Sequence, residues 1–515
     1  MNANTSPVNT NEKMLIAQYR EAEIIDFAGN PLIEAMPPMF SKDDWFDYLD
    51  DPVAFDEAER QAPAHIRSHC SLRLRRFYQP LPQHLDLALR IDEIIRQGYV
   101  GRNPNNAERG ELLQKLYRDG QNGSGETTNY STYEPISSIS LIGASGMGKS
   151  TTTERILSRY PQLLFHKAQG LHQVVYMKLD CPHDGNIKQL AKDFIFELDK
   201  ILQTDFYNKL PRRISTDELL QHVKHLAATY SVGLLVIDEI QNLSVKKSGG
   251  REAMMNFFQE LCNTLRVPIM LMGTMKAMSV LQLDFRQARR NTAVGSFAWE
   301  PMKNDETWQF FLEELWENQW LQEYAPLTPE FIDLLYKETQ GIIAVLSTAF
   351  IMAQLRALRT GEEKLTEELF SRVMQKDMAP IQPMLKALRS GDARRIAAIE
   401  DIAPMNLEDM LKKEQQATLI GDLKRRAKQQ SKILGIEDRA ISVLESMGFG
   451  YEIAKQAVNF ASGEGAKTHS ALVRIALNKL SGDTDEPNVD DPADLRQYSQ
   501  SGGVDSLYQD GVIKD

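Results

Sequence analysis

Only three cysteines occur in 515 residues, Cys70, Cys181 and Cys262. They are isolated, odd in number and without C-x-x-C spacing, which excludes a disulfide framework and a cysteine-based metal site. Buried thiols in a reducing cytoplasm are expected instead. Long apolar runs are missing as well: nothing approaches the roughly eighteen consecutive apolar residues of a membrane span. The first ten residues are polar rather than charged-then-apolar, so no leader is read there. Together these absences imply a soluble, unexported chain with no membrane partner. The nine histidines are scattered. His222 and His225 stand three apart but lack a carboxylate or third ligand at metal spacing, so no zinc is expected. Basic charge is not in excess either, with 59 Lys and Arg against 71 Asp and Glu and a net charge of −12. That balance argues against nonspecific wrapping by nucleic acid, although charge acts locally and leaves room for basic stripes.

What is present divides the chain. Residues 1–60 read as a partly disordered N-terminal arm, with apolar residues set between Pro31, Pro37 and Pro38 as in a segment that docks. Residues 61–300 read as an α/β nucleotide-binding domain with an N-terminal helical extension. Its clearest helix carries Leu85, Leu87, Leu89, Ile91, Ile94 and Ile95, and Gly98 is expected to close it. Short apolar strands then alternate with helical pattern: Ile139–Ile142, Val174–Met177, Gly233–Ile237 and Ile269–Met272. Near-continuous apolar runs of this length predict a parallel sheet sandwiched by helices. Residues 301–400 lack strands and read as a helical lid, with helices over Trp308–Trp320 and Phe331–Thr339. Residues 401–480 read as a C-terminal helical region, with a three-helix pattern around Met447–Tyr451. Residues 481–515 hold nine Asp and Glu against two Lys and Arg, an acidic flexible tail suited to solvation or partner capture.

The strongest motif is Gly143-Ala144-Ser145-Gly146-Met147-Gly148-Lys149-Ser150-Thr151, a complete G-x-x-x-x-G-K-[ST] between an apolar strand and a helical segment. Its glycines let backbone N–H groups converge on phosphate oxygens at a helix N-terminus. Lys149 is expected to neutralise the β- and γ-phosphates of ATP, and the Ser150 hydroxyl to help hold Mg²⁺. Downstream, the apolar strand Leu234–Ile237 ends in Asp238 and Glu239, placed for Mg²⁺ and for polarising the attacking water. Thr274, after a third strand, either orients that water or caps the helix that follows. Arg286, Arg289 and Arg290 offer either a finger that reaches a neighbouring subunit's γ-phosphate or a basic face. The composite predicts a P-loop ATPase of the AAA+ type.

Two basic stretches invite a nucleic-acid reading beside that of a solvated face. One is Arg67, Arg73, Arg75 and Arg76 with Phe77 and Tyr78. The other is Lys188 with Lys209, Arg212 and Arg213, between the second and third sheet strands, where cations could track phosphates without reading bases. By contrast, the run from Met254 to Leu265 at helical spacing reads as core.

Several stretches outside the ATPase motifs resemble TnsC, the AAA+ regulator of heteromeric bacterial transposons. They include Asn30–Pro38, Phe77–Leu81, Gly98–Pro104, Gly233–Gln241 with Ser248–Gly250, and Pro383–Gly391, within a similarity over roughly residues 30–400. The resemblance implies a homo-oligomer, ring or filament, that assembles on double-stranded DNA with ATP. It implies a link between a target selector, protein or RNA-guided, and TnsA/TnsB-like transposase subunits, with hydrolysis driving disassembly. Lys149, Ser150, Asp238 and Glu239 carry over; Lys188, Arg212 and Arg213 would touch DNA. A departure follows Thr339-Gln340-Gly341, where many AAA+ proteins place a nucleotide-sensing arginine and this chain has Ile342-Ile343-Ala344-Val345. Two other readings are compatible with the ATP site: a helicase loader or replication initiator, and a nucleotide-gated switch that never hydrolyses ATP. Glu239 argues against the switch, because a switch does not need a carboxylate that polarises water.

Overall fold

The computed structural model describes residues 14–122, 136, 138–245, 249–277, 295–392, 436–466 and 468–481. The chain divides into two units, Met1–Lys412 and Lys413–Asp515.

The first unit is built on a five-stranded parallel sheet. Its strands are β2 (Ile139–Gly143), β5 (Tyr176–Asp180), β6 (Leu234–Asp238), β7 (Ile269–Gly273) and β8 (Gly295–Trp299), in spatial order β5-β6-β7-β2-β8. Strands β2, β6 and β7 are buried along their whole length, which is why they read as unbroken apolar runs. Helices α4 (Pro82–Val100), α7 (Ile187–Leu202), α9 (Thr216–Thr229) and α10 (Gly249–Leu265) accompany the sheet. Met254, Met255, Phe257, Phe258, Leu261, Cys262 and Leu265 are all buried on α10, as their spacing predicts. All three cysteines are buried and free.

A small second sheet, β1 (Leu15–Ile16), β3 (Leu163–His166) and β4 (Leu171–Val174), lies outside the sequence expectations. It splits the apolar run Val174–Met177: Val174 ends β4, antiparallel to β3, while Tyr176 starts β5 in the main sheet. Gly98 is a second correction. It lies inside α4, which runs on to Val100, and a Cβ there would meet Pro268 Cδ at 2.8 Å and Arg266 O at 3.2 Å. The glycine marks close packing of α4 on the turn before β7, not a helix end.

From Phe27 onward the N-terminal segment joins the same core. Asn30 caps α1 (Pro31–Glu34) and donates to Tyr99 O at 2.8 Å. Ser41 and Asp44 form a capping box on α2 (Lys42–Leu49), whose Trp45 and Leu49 are buried. The basic stretch after it turns inward. On α3 (Ala64–Ser71), the Arg67 side chain is 2% exposed and forks onto Glu363 at 2.5 and 2.8 Å, and Arg73 pairs with Glu59 at 2.8 Å. Arg67 and Arg73 thus join elements of the fold, while Arg75 and Arg76 are exposed.

The lid is helical: α11 (Glu306–Trp316), α12 (Pro329–Thr339), α13 (Ile343–Thr360), α14 (Glu367–Lys376) and α15 (Gln382–Ser390). Asp305, Thr328 and Thr366 cap three of these through side-chain oxygens. Helix α11 stops at Trp316, four residues before the expected end. Gln354 of α13 takes the next turn instead, accepting from Trp320 N and donating to Asn318 O. Trp308, Trp316, Trp320, Phe350 and Phe370 fill the interior. Helix α13 has the length and composition of a membrane span, but most of it is buried within the protein.

The described part of the second unit is a three-helix bundle, α16 (Ile436–Ser446), α17 (Tyr451–Gly463) and α18 (His469–Ser481), as the pattern around Met447–Tyr451 predicts. Ala440, Leu444, Ala454, Ala457, Val458, Ala461, Leu472 and Ala476 form its core, the small residues allowing close helix approach.

Candidate nucleotide site

The phosphate loop leaves the C-terminal end of β2 and enters α6 (Lys149–Leu157). Gly146 and Gly148 take φ of +83° and +79°, the left-handed region that favours glycine. This curls residues 144–148 into a concave run of N–H groups at the start of α6. Lys149 is buried and its ammonium donates to Gly143 O and Ala144 O, both at 2.8 Å. Ala144 and Met147 are buried, Ser145 is half-buried and Thr151 faces outward.

The acidic end of β6 comes to the same place although the two strands are not neighbours, because β7 lies between them. Ser150 Oγ donates to Asp238 Oδ2 at 2.8 Å, so a hydroxyl and a carboxylate oxygen converge as hard-cation donors do. Asp238 Oδ1 accepts from Glu239 N at 2.9 Å, and Lys178 Nζ lies 3.5 Å from Oδ2. Lys178 also donates to Glu154 at 2.6 Å. Burial opposes its charge, but the Glu154 hydrogen bond and the Glu154, Asp238 and Asp180 charges raise its pKa overall.

Glu239 is exposed and has φ +56°, an uncommon conformation for a side-chain-bearing residue, which turns its carboxylate off the strand end. Gln241, at the start of the turn Ile240–Val245, donates to Glu239 Oε2 and accepts from Thr274 N at 3.1 Å. Sequence reasoning gave Gln241 no role; the signal was a side-chain amide two residues past the acidic pair. Thr274, just past β7, lies between the phosphate loop and the acidic pair. Its hydroxyl is buried without a hydrogen-bond partner, a donor left over for a water or ligand.

Two neighbouring segments frame the loop. From the lid, Ala344 N donates to Gly146 O at 3.1 Å, and a Cβ on Gly146 would meet Ala344 Cβ and Ile342 Cγ2 at 3.2 Å each. Where a sensing arginine would stand, the first turn of α13 rests its backbone on the phosphate loop. From the other side, Tyr78 OH donates to Thr152 at 3.0 Å and Arg155 lies over the Tyr78 ring at 4.4 Å. Burial, against the Thr152 hydrogen bond and the Arg155 charge, pushes the Tyr78 hydroxyl up to about 12.

The remaining expected site residues scatter. Lys188 Nζ donates to Ile214 O, which ties α7 to the segment before α9. Arg212 and Arg213 beside that segment are exposed. Arg286, Arg289 and Arg290 lie outside the described residues.

The model of the Bacterial TniB protein family matches residues 126–301. This chain is a P-loop ATPase of the AAA+ type. The matching family is TniB, where the sequence resemblance suggests TnsC. No curated protein matches the chain. Among solved structures, a Walker-type ATPase of Pyrococcus abyssi is 18% identical, covering 57% of this chain and 79% of its own, with a TM-score of 0.34. The ORC1 protein of Aeropyrum pernix, solved in complex with DNA, is 16% identical over 73% of this chain and 83% of its own, TM-score 0.35. AMPPCP-bound DnaA of Aquifex aeolicus is 15% identical over 67% and 92%, TM-score 0.28. Likenesses this distant carry no functional argument.

Proposed function

We propose that this ATPase regulates transposition: it assembles on target DNA with ATP, links target selection to the transposase, and leaves when ATP is hydrolysed. The observation that carries the reading is the complete hydrolytic site, Lys149, Ser150, Asp238 and Glu239, within a segment matched by the TniB family and flanked by TnsC-like stretches. In this reading Gly143–Thr151 cradle the triphosphate. Lys149 shifts from its two carbonyls to the β- and γ-phosphates. Ser150 and Asp238 hold Mg²⁺, which when bound supplies positive charge to the leaving phosphate oxygens.

Glu239 polarises the attacking water, Gln241 fixes the angle of that carboxylate, and the Thr274 hydroxyl supplies a hydrogen bond to the same water. Phosphoryl transfer needs positioning and charge more than covalent help, so this set covers what one subunit must provide. One of Arg286, Arg289 and Arg290 from a neighbouring copy completes the charge at the transition state. Arg212 and Arg213, exposed beside the α7–α9 connection, follow the duplex backbone, while Lys188 holds that connection in shape. The bacterial cytoplasm is the compartment.

Residues 481–515 are assigned to transposase contact. With purified transposase subunits, the full chain should bind them and support strand transfer. A chain ending at residue 480 should keep ATP-dependent DNA binding and lose transposition. Intact transposition by the truncated chain would remove the tail from the mechanism. Binding to a replicative helicase instead of a transposase would favour a helicase loader.

A further inference from the structure

Lys178 has no part in the mechanism above, yet its ammonium stands beside the carboxylate assigned to Mg²⁺. Strand β5 alternates: Met177 and Leu179 are buried, Tyr176 and Lys178 are half-buried, and Asp180 is exposed. In the register with β6, Lys178 lies opposite Val236 and Asp180 opposite Asp238. Side chains two apart on a strand share a face, so the long Lys178 side chain reaches along that face to the end of β6. Its Nζ lies 3.5 Å from Asp238 Oδ2, the oxygen that also accepts from Ser150 Oγ at 2.8 Å.

The Asp238 side chain is only 9% exposed, and a carboxylate so enclosed favours a positive partner. Lys178 has a second carboxylate within reach. It donates to Glu154 Oε1 at 2.6 Å, on the helix that begins at Lys149. The Glu154 side chain is 61% exposed. One ammonium is therefore shared between an enclosed carboxylate in the nucleotide site and an open one at the surface. A divalent cation on Asp238 Oδ2 and an ammonium beside the same oxygen repel each other. Glu154 gives the ammonium a place to withdraw to without leaving it unpaired.

We propose that Lys178 is a positioning residue that stands in for the metal. It neutralises the Asp238 carboxylate when nucleotide enters without metal, and it withdraws to Glu154 when Mg²⁺ is bound. Lys178 and Glu154 together set how strongly ATP binding depends on Mg²⁺. The inference rests on the reading that Asp238 holds that ion.

The test measures the dissociation constant of a fluorescent, non-hydrolysable ATP analogue on the full chain, in EDTA and in saturating Mg²⁺. The ratio of the EDTA value to the Mg²⁺ value reports the coupling between metal and nucleotide. Lys178→Met should raise this ratio about ten-fold, mainly through weaker binding in EDTA, because the bare Asp238 carboxylate then repels the triphosphate. Lys178→Arg keeps the charge and should keep the ratio near its native value. Glu154→Gln removes the place of withdrawal and should move the ratio the other way, down about three-fold. The double variant should match Lys178→Met, since Glu154 acts only through the lysine.

A lysine that merely braces the strand end gives a different pattern. Lys178→Met would then let Asp238 drift and lower the ratio, as Glu154→Gln also would. That pattern, or a ratio that none of these variants moves, overturns the proposal. Asp238→Asn keeps the two readings apart. If it leaves the native ratio intact, the metal reading falls and the proposal with it. If it collapses the ratio while the Lys178 and Glu154 variants do not move it, the proposal alone falls. Should Lys178→Met fail to fold, Glu154→Gln decides, since only a shared ammonium makes loss of that surface carboxylate lower the ratio while the Lys178→Arg ratio stays native.

Discussion

At the scale of single residues, the nucleotide site separates side chains that bind from side chains that aim. Lys149→Ala should abolish ATP binding, because no other described cation rests inside the loop. Gln241 is different. It touches no phosphate, yet it holds the Glu239 carboxylate and the backbone of Thr274 together. Gln241→Ala should therefore lower kcat about ten-fold with little change in KM for ATP. Equal loss in both parameters would mean that it only supports the loop. The phosphate loop was legible in the sequence because its chemistry is local and contiguous. Gln241 was not, because its role depends on β6 and β7 being neighbours. The tie of Lys188 to the Ile214 carbonyl was not legible for a related reason: the two lie 26 residues apart.

At the scale of elements, much of the fold outside the sheet depends on buried polar links. Arg67 and Glu363 tie α3 to the loop after α13, and the Glu363 carboxylate with the Ala62 and Trp320 carbonyls leaves the Arg67 side chain only 2% exposed. Arg67→Ala should cost about 3 to 5 kcal/mol of stability, measured by denaturant unfolding, because Glu363 and two carbonyls would lose their donor. Gly98→Ala should cost about 1 to 3 kcal/mol, since its Cβ would collide with Pro268.

His84, on the first turn of α4, is 3% exposed and accepts from Leu81 N through Nδ1, with the Tyr78 hydroxyl oxygen 3.2 Å from the same nitrogen. Burial pushes its pKa from 6.5 down to about 3. The unfolded chain then binds one more proton than the folded one between those values. Stability should fall as pH drops from about 6.5 toward 3, by about 1.4 kcal/mol per pH unit from this group. His84→Gln should flatten that slope; an unchanged slope would assign the acid sensitivity elsewhere. Strands of the main sheet were readable as apolar runs, but Val174–Met177 was not separable into two strands. Nothing in the local pattern marks Val175 as the point where one sheet ends and another begins. The strand β8 was missed because five residues of mixed polarity carry no clear period.

At the scale of the whole molecule, one unit joins the N-terminal segment, the ATPase sheet and the lid, and a second holds the small bundle. The lid meets the phosphate loop through the Ala344–Gly146 backbone bond, so lid and loop positions are coupled without a sensing arginine. Composition pointed away from wholesale nucleic-acid wrapping, and motif resemblance pointed toward a transposon-type ATPase, which the TniB match supports. The duplex and the transposase enter only through the proposal, because partners are chosen by surfaces that a single chain's pattern does not spell out. The most direct test measures ATP hydrolysis by the purified chain with and without double-stranded DNA, with Glu239→Gln imaged by negative-stain microscopy. The account predicts that duplex DNA stimulates hydrolysis and that the variant accumulates as rings or filaments along it. Hydrolysis indifferent to DNA, with no assembly on the duplex, would contradict the proposed function and leave an ATPase of another purpose.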